Sequence, residues 1–259
     1  MDLGLKGRQA LVCASSQGLG LACATALAEE GCTVVLNGRH APKLNAAADR
    51  LRETTGAIVH AVVADLNTSS GRTALLQACP APDILINNNA GPPPGQLADW
   101  DHAAWMSALE SNLLCAALLM REVLPGMRTR KFGRIVNITS AMVKTPHAAM
   151  GLSTAARAGL TALSKALARE AIVDNVTINN LLPERFDTPR QEFMAQRMMT
   201  ESGITRDEAR ARIAATLPVN RLGDPRELGA ACAFLCASTS GFITGQNLQL
   251  DGGAYAALI

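Results

Sequence analysis

Short apolar runs alternate with longer stretches in which Ala and Leu recur at helical spacing, along nearly the whole chain. The short runs predict seven strands, at residues 9–14, 33–37, 57–64, 84–87, 134–139, 176–182 and 247–250. The longer stretches predict helices at 18–30, 42–54, 69–78, 101–128, 154–172, within 189–216 and at 225–237. This alternation implies right-handed crossovers. It predicts a doubly wound α/β (Rossmann) fold, with a parallel sheet covered on both faces, in a single domain over residues 1–259.

Ligands of such sheets bind beyond the carboxyl ends of the strands. That edge gathers the segments that follow the strands, at residues 14–20, 37–39, 65, 87–91, 140 and 183–188. The sequence therefore predicts one binding cleft there.

The long insertion at residues 186–216 carries Phe193, Met194, Met198 and Met199 among many Arg side chains. An adaptable, Met-rich helical segment beside a cleft is typical of a substrate lid. An ordinary surface helix that buries its Met side chains in the core gives the same pattern, and both interpretations remain open.

The amino-acid composition narrows the classes of partner and location that we expect for the protein. The chain is 48% hydrophobic with a formal charge of +2, which argues against nucleic acid and favours a small-molecule substrate. Its seven Cys show no metal-ligand spacing, so we expect no metal and a reducing, cytoplasmic location. We find neither a signal-peptide pattern nor an apolar run of membrane-spanning length, and expect no membrane contact.

Residues 13–20 read Cys-Ala-Ser-Ser-Gln-Gly-Leu-Gly and join the first strand to the first helix. Glycines let a backbone approach a pyrophosphate, and a helix N-terminus offers free N–H groups and a positive dipole end. A Gly-x-Gly pair alone is a weak signal. Its position between strand and helix predicts a dinucleotide site.

Here the chain resembles the short-chain dehydrogenase/reductase family over essentially its whole length, and the ketoacyl carrier-protein reductases in layout. The family turn TGxxxGxG has Cys13 and Ala14 in its first two places, while Gly18 and Gly20 match. The methyl group of Ala14 is tolerable if φ is negative there.

Further motifs carry the resemblance. Asp65 stands at the position of the family's Asp that contacts the adenine. The family's NNAG motif falls on residues 87–90, or on residues 88–91 if the alignment is shifted by one residue. The first of these two alignments also places Asn112 at the position of the family's active-site Asn. Residues 242–246 and 251–253 match its ITGQ and closing glycine motifs.

The second strand ends in Gly38-Arg39. An acid in the place of Gly38 would bind the ribose 2′-hydroxyl, whereas Arg39 can pair with a 2′-phosphate, which favours NADP(H) over NAD(H). The cofactor-binding residues that the resemblance implies are Ser15, Ser16, Gln17, Gly18, Leu19, Gly20, Arg39, Asp65, Leu66, Asn88, Asn89, Ala90, Arg157, Pro183, Arg185 and Thr188.

The resemblance implies a catalytic set of Ser140, Ser153, Arg157 and Asn112. Ser153 stands where the family has its proton-donating Tyr, and Arg157 where it has the Lys that lowers the pKa of that Tyr. An aliphatic hydroxyl is a poor primary acid, and Arg stays protonated. The expected activity is that of an oxidoreductase with an atypical Ser–Ser–Arg site.

Three explanations remain open. The proton can come from Lys144 or His147, from Glu184 in place of a family Gly, or from water. The substrate can instead be a conjugated enone or quinone, whose enolate Ser140 and Arg157 would hold. Or the chain is a catalytically silent NADP(H)-binding sensor or structural subunit. Glu184 can also simply pair with an Arg.

Small and apolar side chains recur on the helices predicted at 101–128 and 154–172, namely Leu113, Leu114, Leu118, Ala158, Ala162 and Ala166. Family members pair these helices between subunits. The resemblance therefore implies a homodimer or homotetramer; burial within one subunit is the alternative.

Overall fold

A computed structural model describes residues 1–258. Seven parallel strands form one sheet in the order β3-β2-β1-β4-β5-β6-β7. Their bounds are β1 Gln9–Val12, β2 Thr33–Gly38, β3 Val59–Val63, β4 Ile84–Asn87, β5 Gly133–Ile138, β6 Val176–Pro183 and β7 Asn247–Leu250. The doubly wound α/β prediction is confirmed. The strand order reverses beside β1, the place where such sheets open a ligand crevice.

The helices are α1 Gly18–Glu29, α2 Ala41–Thr55, α3 Ser69–Ala78, α4 His102–Leu109, α5 Cys115–Thr129, α6 Gly151–Ala171, α7 Pro189–Ser202, α8 Arg206–Ala214 and α9 Pro225–Cys236. Most bounds lie within a few residues of those predicted. The segment predicted to be helical within residues 189–216 contains two helices, α7 and α8.

Alternation along the buried strands divides the core into two layers. On β1, Ala10 and Val12 face the layer formed with α1, α2 and α9, whereas Leu11 faces the layer formed with α3, α5 and α6. Both faces of the sheet are therefore covered, which leaves the carboxyl edge as the open end.

The segment predicted as one helix at 101–128 contains a π-helical turn, Glu110–Leu114, between α4 and α5. The continuous helix His102–Thr129 is 28 residues long and apolar enough to cross a membrane by length and composition, which corrects the expectation that no such run exists. Leu119 and Met120 of this helix are fully buried against the sheet, as in a core helix.

Candidate active site

A cleft of about 560 Å³ opens at the carboxyl ends of the strands. Most of the predicted cofactor-binding residues line it, namely Ser16, Gln17, Gly18, Leu19, Arg39, Asp65, Leu66, Asn88, Asn89, Ala90, Arg157, Pro183, Arg185 and Thr188. Ser140 and Ser153 line it as well. Segments far apart in sequence thus converge at the predicted edge.

Ser15, Gly20 and Asn112 do not line the cleft. Ser15 is fully buried; its hydroxyl donates to the Val12 carbonyl at 2.8 Å and accepts from the Asn37 amide at 3.0 Å. A Cβ at Gly20 would lie 2.5 Å from the Ala14 carbonyl oxygen. Ser15 and Gly20 therefore stabilise the conformation of the turn instead of lining the cleft.

Ala14 has φ +44°, so the negative angle at which its methyl group would be tolerated is not the one adopted. The left-handed region costs a non-glycine residue roughly 1–2 kcal/mol. Two side-chain amides hold the strained residue: Asn37 Oδ1 accepts from its N–H at 3.2 Å, and Asn88 Nδ2 donates to its carbonyl at 3.1 Å. Ala14 thus adopts the left-handed backbone conformation that is usual for glycine.

At the far end of the cleft, Arg39 is exposed and, within residues 1–258, has no hydrogen-bond or ion-pair partner. Nearby, Lys43 Nζ donates to Gln17 Oε1 at 2.7 Å. A Cβ at Gly38 would lie 3.1 Å from the Ser16 Cβ, so an acidic side chain would not fit there without movement. The guanidinium of Arg39 is available for a phosphate.

Arg157 occupies the centre of the cleft. Its Nε donates to Ser153 Oγ at 3.1 Å, its Nη1 to the carbonyls of Ile138 and Thr139 at 2.7 and 2.8 Å, and its Nη2 to the carbonyl of Asn89 at 3.4 Å. Burial of the guanidinium lowers the pKa of Arg157 to about 10, so it stays charged at neutral pH.

Ser153 Oγ accepts from this cation, so its own hydrogen is available to a second acceptor in the cleft. Ser140 follows β5 and is arranged alike: its Oγ accepts from the Met142 amide at 3.2 Å. The two hydroxyls can therefore donate hydrogen bonds to a substrate oxygen.

Asn112 lies on the π-helical turn and is buried. Its Nδ2 donates to the Ala90 carbonyl at 3.1 Å, and its Oδ1 has no hydrogen-bond partner within residues 1–258. A Cβ at Gly91 would lie 3.9 Å from this oxygen, 3.5 Å from Ser153 Oγ and 3.6 Å from Arg157 Nη2. The absence of a side chain at Gly91 thus leaves space where three polar groups meet.

The candidate proton donors differ in position. His147 is exposed and lines the cleft. Lys144 does not line it; its Nζ donates to Gln249 Oε1 at 3.1 Å and lies 4.7 Å from the centre of the Tyr255 ring. Glu184 lines the cleft and pairs with Arg185 at 3.6 Å, while burial raises the pKa of its carboxyl group.

The sequence prediction placed Met194 beside the cleft but did not name Arg190 and Gln191, its neighbours on α7. Arg190, Gln191 and Met194 line the cleft, whereas Met198 and Met199 pack against Ala195, Ala209 and Ile213 at the α7–α8 contact. Met198 and Met199 thus follow the interpretation as a packing helix, whereas the substrate lid stays a prediction. Among residues 1–258 all seven Cys are buried, and the structure shows no cluster of metal-binding side chains there.

The sequence model of a family described as enoyl-(acyl carrier protein) reductase matches residues 13–255. An oxidoreductase of Bacillus subtilis, YvaG, whose function is uncharacterized, is 34% identical, over 98% of each chain. The 3-oxoacyl-[acyl-carrier-protein] reductase FabG of Vibrio cholerae is 31% identical, over 98% of this chain and 99% of its own.

The solved structure of L-sorbose reductase from Gluconobacter frateurii, complexed with NADPH and L-sorbose, superimposes with a TM-score of 0.94. The two sequences are 31% identical, and the match covers 100% of both chains. The architecture of the whole chain, cleft included, is therefore that of a family of reductases.

Proposed function

This chain belongs to the short-chain dehydrogenase/reductase family, and we propose that it is an NADP(H)-dependent oxidoreductase that acts on a carbonyl compound or on a conjugated enone or quinone. The observation that carries this proposal is the buried, charged guanidinium of Arg157, which donates to the Ser153 hydroxyl in the same cleft as the glycine-rich turn.

The residues at the turn fit NADP(H). Residues 16–19 lead into the N-terminus of α1, where backbone N–H groups suit a pyrophosphate. The unpaired guanidinium of Arg39 suits a 2′-phosphate, and Asp65 lines the same end of the cleft. When bound, the cofactor supplies or accepts the hydride.

The chain's own residues would hold the substrate oxygen. Ser140 and Ser153 would each donate a hydrogen bond to it, and the charge of Arg157 would stabilise the negative charge that develops on it as the substrate is reduced. The final proton would come from His147 at the cleft or from water, because an aliphatic hydroxyl is too weak an acid to supply it. Such a site favours substrates that need little acid catalysis.

One observation favours a catalytically silent NADP(H)-binding sensor or structural subunit. The guanidinium of Arg157 already donates to four protein acceptors, which is what a purely structural role would produce. Whether the protein turns over a substrate decides between the oxidoreductase and the catalytically silent NADP(H)-binding protein.

We further propose that residues 1–259 form one domain with residues 186–216 as its substrate lid, and that the protein is cytoplasmic. We also propose a homodimer or homotetramer built through α4, α5 and α6. The exposed Leu114, Ala162 and Ala166 on these helices support the assembly.

The test is a fluorescence titration of the purified protein with NADPH and NADH, followed by the 340 nm absorbance with ketones, quinones and enones. We expect NADPH to bind at least about tenfold more tightly than NADH, and turnover to fall at least about tenfold in Ser140→Ala. Tight NADPH binding without turnover on any class would favour the sensor. No NADPH binding would refute the cofactor assignment itself.

A further inference from the structure

Positive charge is concentrated in the part of the cleft beyond the glycine-rich turn. Arg157, Arg185 and Arg190 line it there, with Glu184 as the acidic side chain among them. Glu184 pairs with Arg185 at 3.6 Å. Within residues 1–258, Arg157 and Arg190 therefore have no carboxylate partner.

Arg190 lies in the first turn of α7 and lines the cleft. Its Nη2 donates to the Pro92 carbonyl at 3.0 Å, and its guanidinium lies 5.7 Å from the centre of the Phe193 ring. A guanidinium carries five N–H donors, and among the described residues the protein supplies this one with a single acceptor. Most of its donors are thus free for a ligand.

Arg190 is exposed at the cleft, and its charge lies close enough to Arg157 to affect that residue. Burial lowers the pKa of Arg190, and its positive charge in turn lowers the pKa of Arg157, which shows that the two cations repel each other. An anion that enters this part of the cleft would relieve both effects.

Gln191, the next residue of α7, adds an independent observation. It is only 6% exposed and lines the cleft, and its Nε2 has no acceptor within residues 1–258. A buried amide N–H₂ without an acceptor costs free energy unless a ligand supplies an oxygen. The first turn of α7 therefore presents an exposed guanidinium with free donors and a buried amide without an acceptor to the cleft.

We propose that Arg190, assisted by Gln191, binds a carboxylate group of the substrate, so that the preferred substrate is an oxo acid or an unsaturated acid rather than a neutral ketone or enone. This proposal rests on the proposed oxidoreductase function. Carboxylate and guanidinium form a bidentate, charge-assisted pair, for which Arg190 would exchange the Pro92 carbonyl. The second possible source of negative charge is a phosphate of NADP(H), and the test separates the two.

The experiment is isothermal titration of the NADP⁺-saturated protein with levulinate and 2-oxobutanoate, each beside its methyl ester. Arg190→Gln removes the charge, and Arg190→Lys keeps it without the bidentate geometry. Arg197→Gln is the matched control, because Arg197 lies on the same helix but pairs with Glu201 at 2.5 Å outside the cleft. The NADPH dissociation constant of each variant is measured in parallel.

We expect at least one acid to bind about tenfold or more tightly than its ester to the wild type and to Arg197→Gln. Arg190→Gln should bring acid and ester to within about twofold while its NADPH affinity stays within about twofold of wild type. Arg190→Lys should retain part of the preference.

Equal binding of every acid and ester to the wild type, or an undiminished preference in Arg190→Gln, would overturn the proposal. A tenfold loss of NADPH affinity in Arg190→Gln would overturn it too, since the guanidinium would then serve the cofactor. Absent NADPH binding in the wild type would instead refute the proposed function, whereas normal NADPH binding without an acid preference would refute the carboxylate site alone.

Discussion

The methyl group of Ala14 strains the turn that joins β1 to α1. Its φ of +44° lies in the left-handed region, and Gly18 and Gly20 in the same turn carry no such penalty. The sequence showed that a glycine was missing from this place but not which backbone angle the residue would adopt. That angle depends on Asn37 of β2 and on Asn88, which directly follows β4.

We predict that Ala14→Gly raises the free energy of unfolding by about 1 kcal/mol, because relief of the left-handed strain exceeds the added flexibility of the unfolded chain. Urea denaturation measures the change. Ala26→Gly inside α1 is the control and should lower the stability by a similar amount. A lower stability of Ala14→Gly would show that the strain is absent.

Glu184 predicts a pH dependence of stability. Burial, the largest effect, raises the pKa of its carboxyl group in the folded protein, while Arg185 opposes the shift. The fold therefore favours the protonated form. The stabilisation is present below the unfolded pKa and is lost as the pH rises through the folded pKa.

The advantage of Glu184→Gln over the wild type should consequently grow between pH 4 and pH 7, as measured by urea denaturation at both pH values. Glu192→Gln is a control of opposite sign, because a hydrogen bond from Arg206 lowers the pKa of Glu192. That substitution should be more harmful at pH 7 than at pH 4. Parallel curves for the two variants would contradict the assignment.

Four elements show what a hydrophobic pattern can and cannot predict. The bounds of β4, α3 and β7 follow directly from apolar runs and their polar flanks, and match those predicted. The π-helical turn at Glu110–Leu114 leaves no such signal, because one extra residue in a turn barely changes a long apolar pattern. Yet this turn places Asn112 against Ala90.

Helix α7 lines the cleft in its N-terminal part and packs on α8 in the turn that follows. Met194→Ala should change the free energy of unfolding by less than about 1 kcal/mol but raise KM for apolar substrates, since Met194 lines the cleft. Met198→Ala should cost about 2 kcal/mol, because Met198 packs on the cluster of Ala195, Ala209 and Ile213. Thermal denaturation and steady-state kinetics distinguish them; the reverse assignment of effects would contradict a lid at this helix.

At the scale of the whole molecule, the outer face of α4, α5 and α6 predicts assembly. Leu114 and Met106 are 36% and 45% exposed there, whereas Leu113 packs near Gly159 within the subunit. We expect sedimentation to show a dimer or tetramer, and Leu114→Arg to yield a smaller species. Ile58→Arg, an exposed apolar residue before β3, should leave the mass unchanged. A monomeric wild type would contradict this interface.

The position of the functional site within the whole chain was partly predictable from the topology of the sheet. Strand ends of a doubly wound sheet converge wherever they lie in sequence, so the cleft and residues such as Arg39 and Ser140 could be located beforehand. The contribution of Arg190 and Gln191 could not, because it depends on how α7 lies at the cleft, with Arg190 bonded to the distant Pro92 carbonyl.

The prediction that Ser153 and Arg157 stand at the positions of the family's Tyr and Lys is tested most directly by introducing that pair. The measurement is the single-turnover loss of 340 nm absorbance when the protein–NADPH complex meets a simple ketone, in the wild type and in Ser153→Tyr/Arg157→Lys. General acid catalysis is worth about 10²–10⁴-fold, so the double variant should react at least a hundredfold faster with unchanged NADPH affinity. A folded double variant that binds NADPH normally and reacts no faster would contradict the assignment of these two positions.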